Sequence, residues 1–164
     1  MDIGLRLKNI YRVECYGADG RLKWTDGFEN LVVTAGLNKY LDATLKTGLT
    51  TPAWYVGLKG TGTAVAGDTM ASHAGWSEIT PYSDATRPAW TAGTISAGAV
   101  DNSAAKAVFN VNATSTVFGC FMADNNTKGG TTGTLLGAGD FAASRAVVSG
   151  DTLNVTVTCS VTAA

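Results

Sequence analysis

Few residues in this chain have the type and spacing that chemistry requires. The only histidine is His73, in the run Asp68-Thr69-Met70-Ala71-Ser72-His73-Ala74-Gly75-Trp76. A hydrolytic triad would need His73 to draw a proton from a serine held across the fold. Its neighbour Ser72 is badly placed for that role, and no GxSxG elbow occurs anywhere. His73 therefore reads as a loop histidine making ordinary hydrogen bonds. Glu78, Asp84 and Asp68 share one region and would be the source of a carboxylate pair for glycoside hydrolysis. With 13 acidic residues in 164, their proximity in sequence carries little weight.

Metal and phosphate chemistry find no better footing. The three cysteines, Cys15, Cys120 and Cys159, are widely spaced and lie in apolar segments. That pattern suits buried thiols and supplies neither a disulfide framework nor the close ligand pairs of a zinc site. The oxygen-rich loop Asp124-Asn125-Asn126-Thr127-Lys128-Gly129-Gly130 lacks the spaced carboxylates of a calcium loop and places a lysine inside it, so it reads as a polar turn. The segment Gly60-Thr61-Gly62-Thr63-Ala64-Val65-Ala66-Gly67 does not fit GxGxxG and opens no helix that would hold a phosphate. No enzyme, cofactor or metal ion is expected.

The aromatic residues are more informative. Trp54, Tyr55, Trp76, Tyr82 and Trp90 crowd around a long polar stretch, with Arg87 beside Pro88. Trp, Tyr and Arg dominate interface hot spots. Trp54 and Trp90 are assigned to the core. Trp76, Tyr82 and Arg87 are candidate partner contacts, together with Arg6 near the N-terminus.

The elements that must position these residues are mostly strands. Charged residues make up 15% of the chain and apolar residues 45%, which excludes disorder. Twenty glycines against three prolines suit strands joined by tight turns. Leu5, Leu7, Tyr11, Val13 and Cys15 share one parity, with Arg6, Lys8, Arg12 and Glu14 on the other, the alternation of a half-buried strand. Gly17-Ala18-Asp19-Gly20 is turn chemistry, and the alternation resumes from Arg21 to Thr25, giving a hairpin. Short strands follow at 53–58, 89–96, 105–111, 116–123, 134–137, 142–148 and 152–162, the last with Leu153, Val155, Val157, Cys159 and Val161 in strict alternation.

One helix is expected, over 35–47, with Thr34 as its N-cap and Gly48 at its C-terminal end. Leu37, Tyr40, Leu41 and Leu45 would form its apolar stripe, packed on or capping the sheets, while Lys39, Asp42 and Lys46 face solvent. The fold class is all-β: a jelly-roll-like β-sandwich with one short helix, a single domain over 1–164 and an N-terminal arm at 1–6.

A net charge of -1 without a basic run argues against nucleic acid as a partner. No apolar stretch approaches the roughly 20 residues that span a bilayer. The N-terminal MDIGLRLKNIYRVE lacks the apolar segment of a signal peptide, so synthesis and folding in a cytoplasm are expected.

Several phrases carry a family resemblance: NLVVTAGLNKYLD (30–42), YVGL from Tyr55, DTMASHAGW (68–76), TRPAW (86–90), NTKGGTTGTL (126–135) and SGDTLNVTVT (149–158). Over about residues 24–160 the chain resembles small virion proteins encoded among the head genes of tailed bacteriophages. The resemblance implies a capsid cement, or decoration, protein seated on the outer shell and made in the bacterial host. Its partner would be the major capsid protein, and capsid symmetry would favour a homo-oligomer, such as a dimer. The alternative is a tail-fibre or receptor-binding module, with Trp76, Tyr82 and the loop from Asp124 touching cell-surface glycan. The absence of a heptad run counts against it.

Overall fold

A computed structural model describes residues 4–46 and 52–163. It is mostly β, with two antiparallel sheets packed face to face and one short helix. The all-β sandwich read from the alternation is what forms.

The first sheet is built on the terminal strands. β1 (Leu5–Tyr16) pairs along its whole length with β11 (Thr152–Ala163), and on its other side with β2 (Leu22–Glu29). β7 (Ala99–Val100) and β8 (Ala107–Asn110) pair with β11. In the second sheet, β10 (Leu135–Val147) lies between β3 (Leu31–Val32) and β9 (Ser115–Ala123). β9 is followed by β4 (Trp54–Lys59), which carries β5 (Glu78–Ile79) and β6 (Ala89–Trp90) on its far edge. The connections mix hairpins within a sheet, β1–β2 and β9–β10, with crossings between sheets.

The inward rows are those the alternation named. Tyr11, Val13 and Cys15 from β1 meet Leu153, Val155 and Val157 from β11, all fully buried. Val56, Leu58, Val117, Cys120 and Met122 face them from the second sheet. One edge of the sandwich is clasped by Arg145 of β10, whose guanidinium lies 2.7 Å from the Asp26 carboxylate of β2. Two of the expected segments, 134–137 and 142–148, fuse into the single β10, with an irregularity between Asp140 and Arg145. The strand expected at 89–96 shrinks to the two residues of β6.

The helix differs most from expectation. α1 spans Thr34–Leu45 and begins one residue early, with Val33 at the N-cap and no side chain capping it. Its first amides are satisfied by other segments: Val33 N–H donates to the Leu136 carbonyl at 3.2 Å, and Thr34 N–H to Ala66 at 2.9 Å. Gly48 lies outside the described residues, as does Thr47. The leucine row faces the wrong way for a core helix, because Leu37, Leu41 and Leu45 are 42%, 50% and 76% exposed. The face turned to the protein carries buried Gly36 and half-buried Tyr40 and Ala43. A Cβ on Gly36 would sit 2.2 Å from the Leu136 carbonyl oxygen. The missing side chain lets the helix backbone touch β10 directly, and that contact fixes the rotation that leaves the leucines outside. Lys39, expected in solvent, is half-buried on the inward side, 3.7 Å from Asp124. Among the described residues no helix is long and apolar enough to cross a membrane.

Candidate functional site

The long connection between β4 and β8 holds most of the candidate contact residues. Its centre is Arg87, 1% exposed. Nε and one terminal nitrogen clasp the two oxygens of Glu78 at 2.9 and 2.7 Å. The guanidinium also donates to the carbonyls of Asn125 at 2.9 Å and Gly130 at 2.8 Å. Its charge lies 5.1 Å from the centre of the Phe121 ring. Glu78 accepts a further bond from Gly129 N–H at 2.8 Å. A buried bidentate pair of this kind, with four of the five guanidinium N–H donors bonded inside the protein, ties two loops to one another.

Tyr82 and Trp76 are placed by similar means. The Tyr82 ring stands edge-on to Phe109 at 5.0 Å and lies under the Lys128 ammonium at 4.4 Å. Lys128 donates to the carbonyls of Tyr82 and Asp84, so the loop from Asp124 folds back over Tyr82 as a polar clamp. Burial pushes the Tyr82 hydroxyl well above its ordinary pKa, with the Glu78 charge adding to the effect. Trp76 donates its indole N–H to Asp68 at 2.9 Å and packs between His73 and Phe121. His73 Nδ1 lies 3.0 Å from the Thr69 carbonyl, a local loop bond that requires the proton on that nitrogen.

These positions correct the expectation for three residues. Trp76, Tyr82 and Arg87 are 5%, 1% and 1% exposed, so their side chains are not surfaces that a partner can touch. The residue types that make hot spots also make good internal rivets, and each has found an internal partner. Arg6 does stand at the surface at the start of β1, where it pairs with Glu29 at 2.8 Å, and Lys8 reaches the same carboxylate at 2.7 Å. Trp54 and Trp90 pack against the core as assigned.

The sequence reading passed over Lys59 and gave the α1 leucines the wrong direction. Lys59 closes β4 with a fully buried side chain, 2.6 Å from Asp140 and bonded to the carbonyls of Gly60 and Gly62. The outward row Leu37, Leu41 and Leu45 is an apolar surface left uncovered among the described residues, and the helical spacing signalled the row but not its direction. Cys15 and Cys120 are buried free thiols, as read, and Cys159 is partly buried. Burial raises all three thiols, Cys15 to about 11 and Cys159 to about 12. Among the described residues no three His, Cys, Asp or Glu side chains converge as metal ligands would.

No family model matches this chain, and no curated protein matches it either.

Proposed function

We propose that this chain is a structural virion protein that binds the outside of a tailed-phage capsid and cements contacts between major capsid protein subunits. The observation that carries the reading is the outward leucine row of α1. A helix on a soluble sandwich ordinarily turns its leucines to the core. Here Leu37, Leu41 and Leu45 stand at i, i+4 and i+8 in solvent, while Gly36 holds the opposite face to β10. A contiguous exposed apolar stripe marks a surface built to meet a partner.

The rest of the molecule suits such a role. The Arg87–Glu78 pair and the Lys128 clamp brace the long loops, and Arg145–Asp26 closes the sandwich edge. A cement must bear load across subunit junctions, and these pairs make the scaffold rigid. With a net charge of -1, attachment relies on apolar and hydrogen-bonded contacts rather than long-range steering. Arg6 adds one exposed cation at the first described strand. On a symmetric shell the protein occupies many equivalent sites and assembles there as a homo-oligomer, a dimer across a two-fold axis. The glycan-binding alternative loses two of its contacts, because Trp76 and Tyr82 are buried, and keeps the loop from Asp124.

The test is addition of purified protein to capsids that lack it. Co-sedimentation in a copy number of hundreds per particle, with a higher temperature of capsid rupture, is the expected result. Leu41→Glu should abolish co-sedimentation while leaving the free protein folded. Absence of binding by the wild-type chain would end the proposal.

A further inference from the structure

The two sheets differ in what covers their outer faces. On the second sheet, Phe121, Ala123, Leu135 and Ala138 are buried in contact with Met70 and Trp76 of the long loop. The outer face of the first sheet has no such cover among the described residues. The outward row of β1 runs Arg6, Lys8, Ile10, Arg12 and Glu14, and the arginine side chains are 64% and 69% exposed. Next to it, Asn154, Thr156, Thr158 and Ser160 of β11 are only partly covered.

Charge on this face is arranged as two triads. Glu29 of β2 pairs with Arg6 at 2.8 Å and with Lys8 at 2.7 Å. Glu14 lies 2.6 Å from Lys106, which precedes β8 on the far side of β11, and 3.5 Å from Arg12. Each carboxylate serves two cations, so each triad keeps one positive charge in a chain of net charge -1. Arg6 and Arg12 stand about 20 Å apart along β1, at about 3.3 Å per residue. Between them Ile10, and Gly27 opposite Arg12, floor an open depression that Lys8, Arg12 and Glu29 also line. Arg21 and Lys23, at the hairpin end, are paired one to one with Asp19 and Asp151, and Asp101, past β7, accepts from Ser103.

We infer that this bare face docks an acidic protein surface, whose carboxylates take up the unshared charge of Arg6 and Arg12. The partner's identity rests on the capsid reading: a cement must grip two subunits, and α1 offers one surface and this sheet a second. The area suits the role. The strands of this sheet, about 4.8 Å apart with about 3.3 Å per residue, present about 600 Å². A stable interface uses about 800 Å² per partner. A second copy of this chain is disfavoured, because a two-fold axis would set positively charged triads against one another. Nucleic acid is disfavoured too, since its unbroken row of phosphates would meet Glu14 and Glu29 as well as the cations.

The probe is decaglutamate, added to the full chain and followed by backbone amide resonances. Saturable shifts should appear on β1, β2 and β11, and should vanish at about 1 M salt, where screening acts within about 3 Å. Arg6→Ser/Arg12→Ser should weaken binding at least threefold. Glu14→Gln/Glu29→Gln, which frees the cations of both triads, should tighten it by as much. On capsids that lack the protein, Arg6→Glu/Arg12→Glu should remove co-sedimentation. No saturable binding, shifts scattered over cations elsewhere, or unchanged affinity in Arg6→Ser/Arg12→Ser would each overturn the inference. Capsid binding that survives Arg6→Glu/Arg12→Glu would overturn it as well. So would tighter binding of decathymidylate than of decaglutamate, or a dimer that Arg6→Glu/Arg12→Glu breaks, which gives the face to a second copy. A wild-type chain that takes decaglutamate on this face but does not bind capsids would end the capsid reading and leave the docking chemistry standing.

Discussion

The guanidinium of Arg87 and the carboxylate of Glu78 form two parallel hydrogen bonds, 2.9 and 2.7 Å long, with both side chains almost wholly withdrawn from water. The pair joins the strand edge at β5 to the segment leading into β6 and, through the carbonyls of Asn125 and Gly130, to the β9–β10 connection.

Breaking this pair from one side leaves an uncompensated buried charge. Arg87→Ala is expected to lower unfolding free energy by about 3–5 kcal/mol in urea titration. Glu78→Ala should cost a similar amount, and the double variant should cost clearly less than the sum, since the two residues act as one unit. Additive losses would mean that the carbonyl contacts of Arg87, rather than the ion pair, carry its contribution.

Gly36 is a position where adding one methyl group should do much harm for its size. Gly36→Ala places a Cβ 2.2 Å from the Leu136 oxygen, so helix and sheet must separate. The expected loss is about 1–3 kcal/mol, although alanine is the better helix former in isolation. Leu41→Glu, on the exposed face of the same helix, should change stability by no more than about 0.5 kcal/mol. Denaturation midpoints of the two variants measure the contrast. A costly Leu41→Glu would mean that the row is packed in solution.

Acid should destabilise the first sheet. The hydrogen bond from Lys106, 2.6 Å away, holds the Glu14 carboxyl below its ordinary value of 4.5, and Lys8 does the same for Glu29. A carboxylate with a lowered folded pKa contributes its full stabilisation above its unfolded value and loses it as pH falls through the folded one. The melting temperature of the wild type should therefore drop between about pH 5 and pH 3 more steeply than that of Glu14→Gln/Glu29→Gln. Parallel curves would show that other groups govern the acid limb.

The thiols should be sluggish. With Cys159 raised to about 12, only about one molecule in ten thousand carries its thiolate at pH 8. A disulfide reagent should label none of the three cysteines within minutes in the native state and all three in denaturant. Prompt labelling of Cys159 would mean that the end of β11 opens readily.

The sequence by itself determined the sandwich and its inward rows. Strict alternation in β1 and β11 leaves one register that buries Tyr11, Val13, Leu153, Val155 and Val157, because a slip by one residue would turn them all to water. Asn9 lies buried in the same row, and the alternation passed over it. Tertiary structure alone decided the direction of α1. Its leucine spacing defines a stripe, but the close backbone contact of Gly36 against Leu136 outweighs the burial of that stripe and points it to solvent. It also decided the fate of Trp76, Tyr82 and Arg87, whose partners Asp68, Phe109 and Glu78 are fixed by how the long loop folds. A residue's type limits which bonds it can make, and only the surrounding chain determines whether those bonds are made inside the protein or left for a partner.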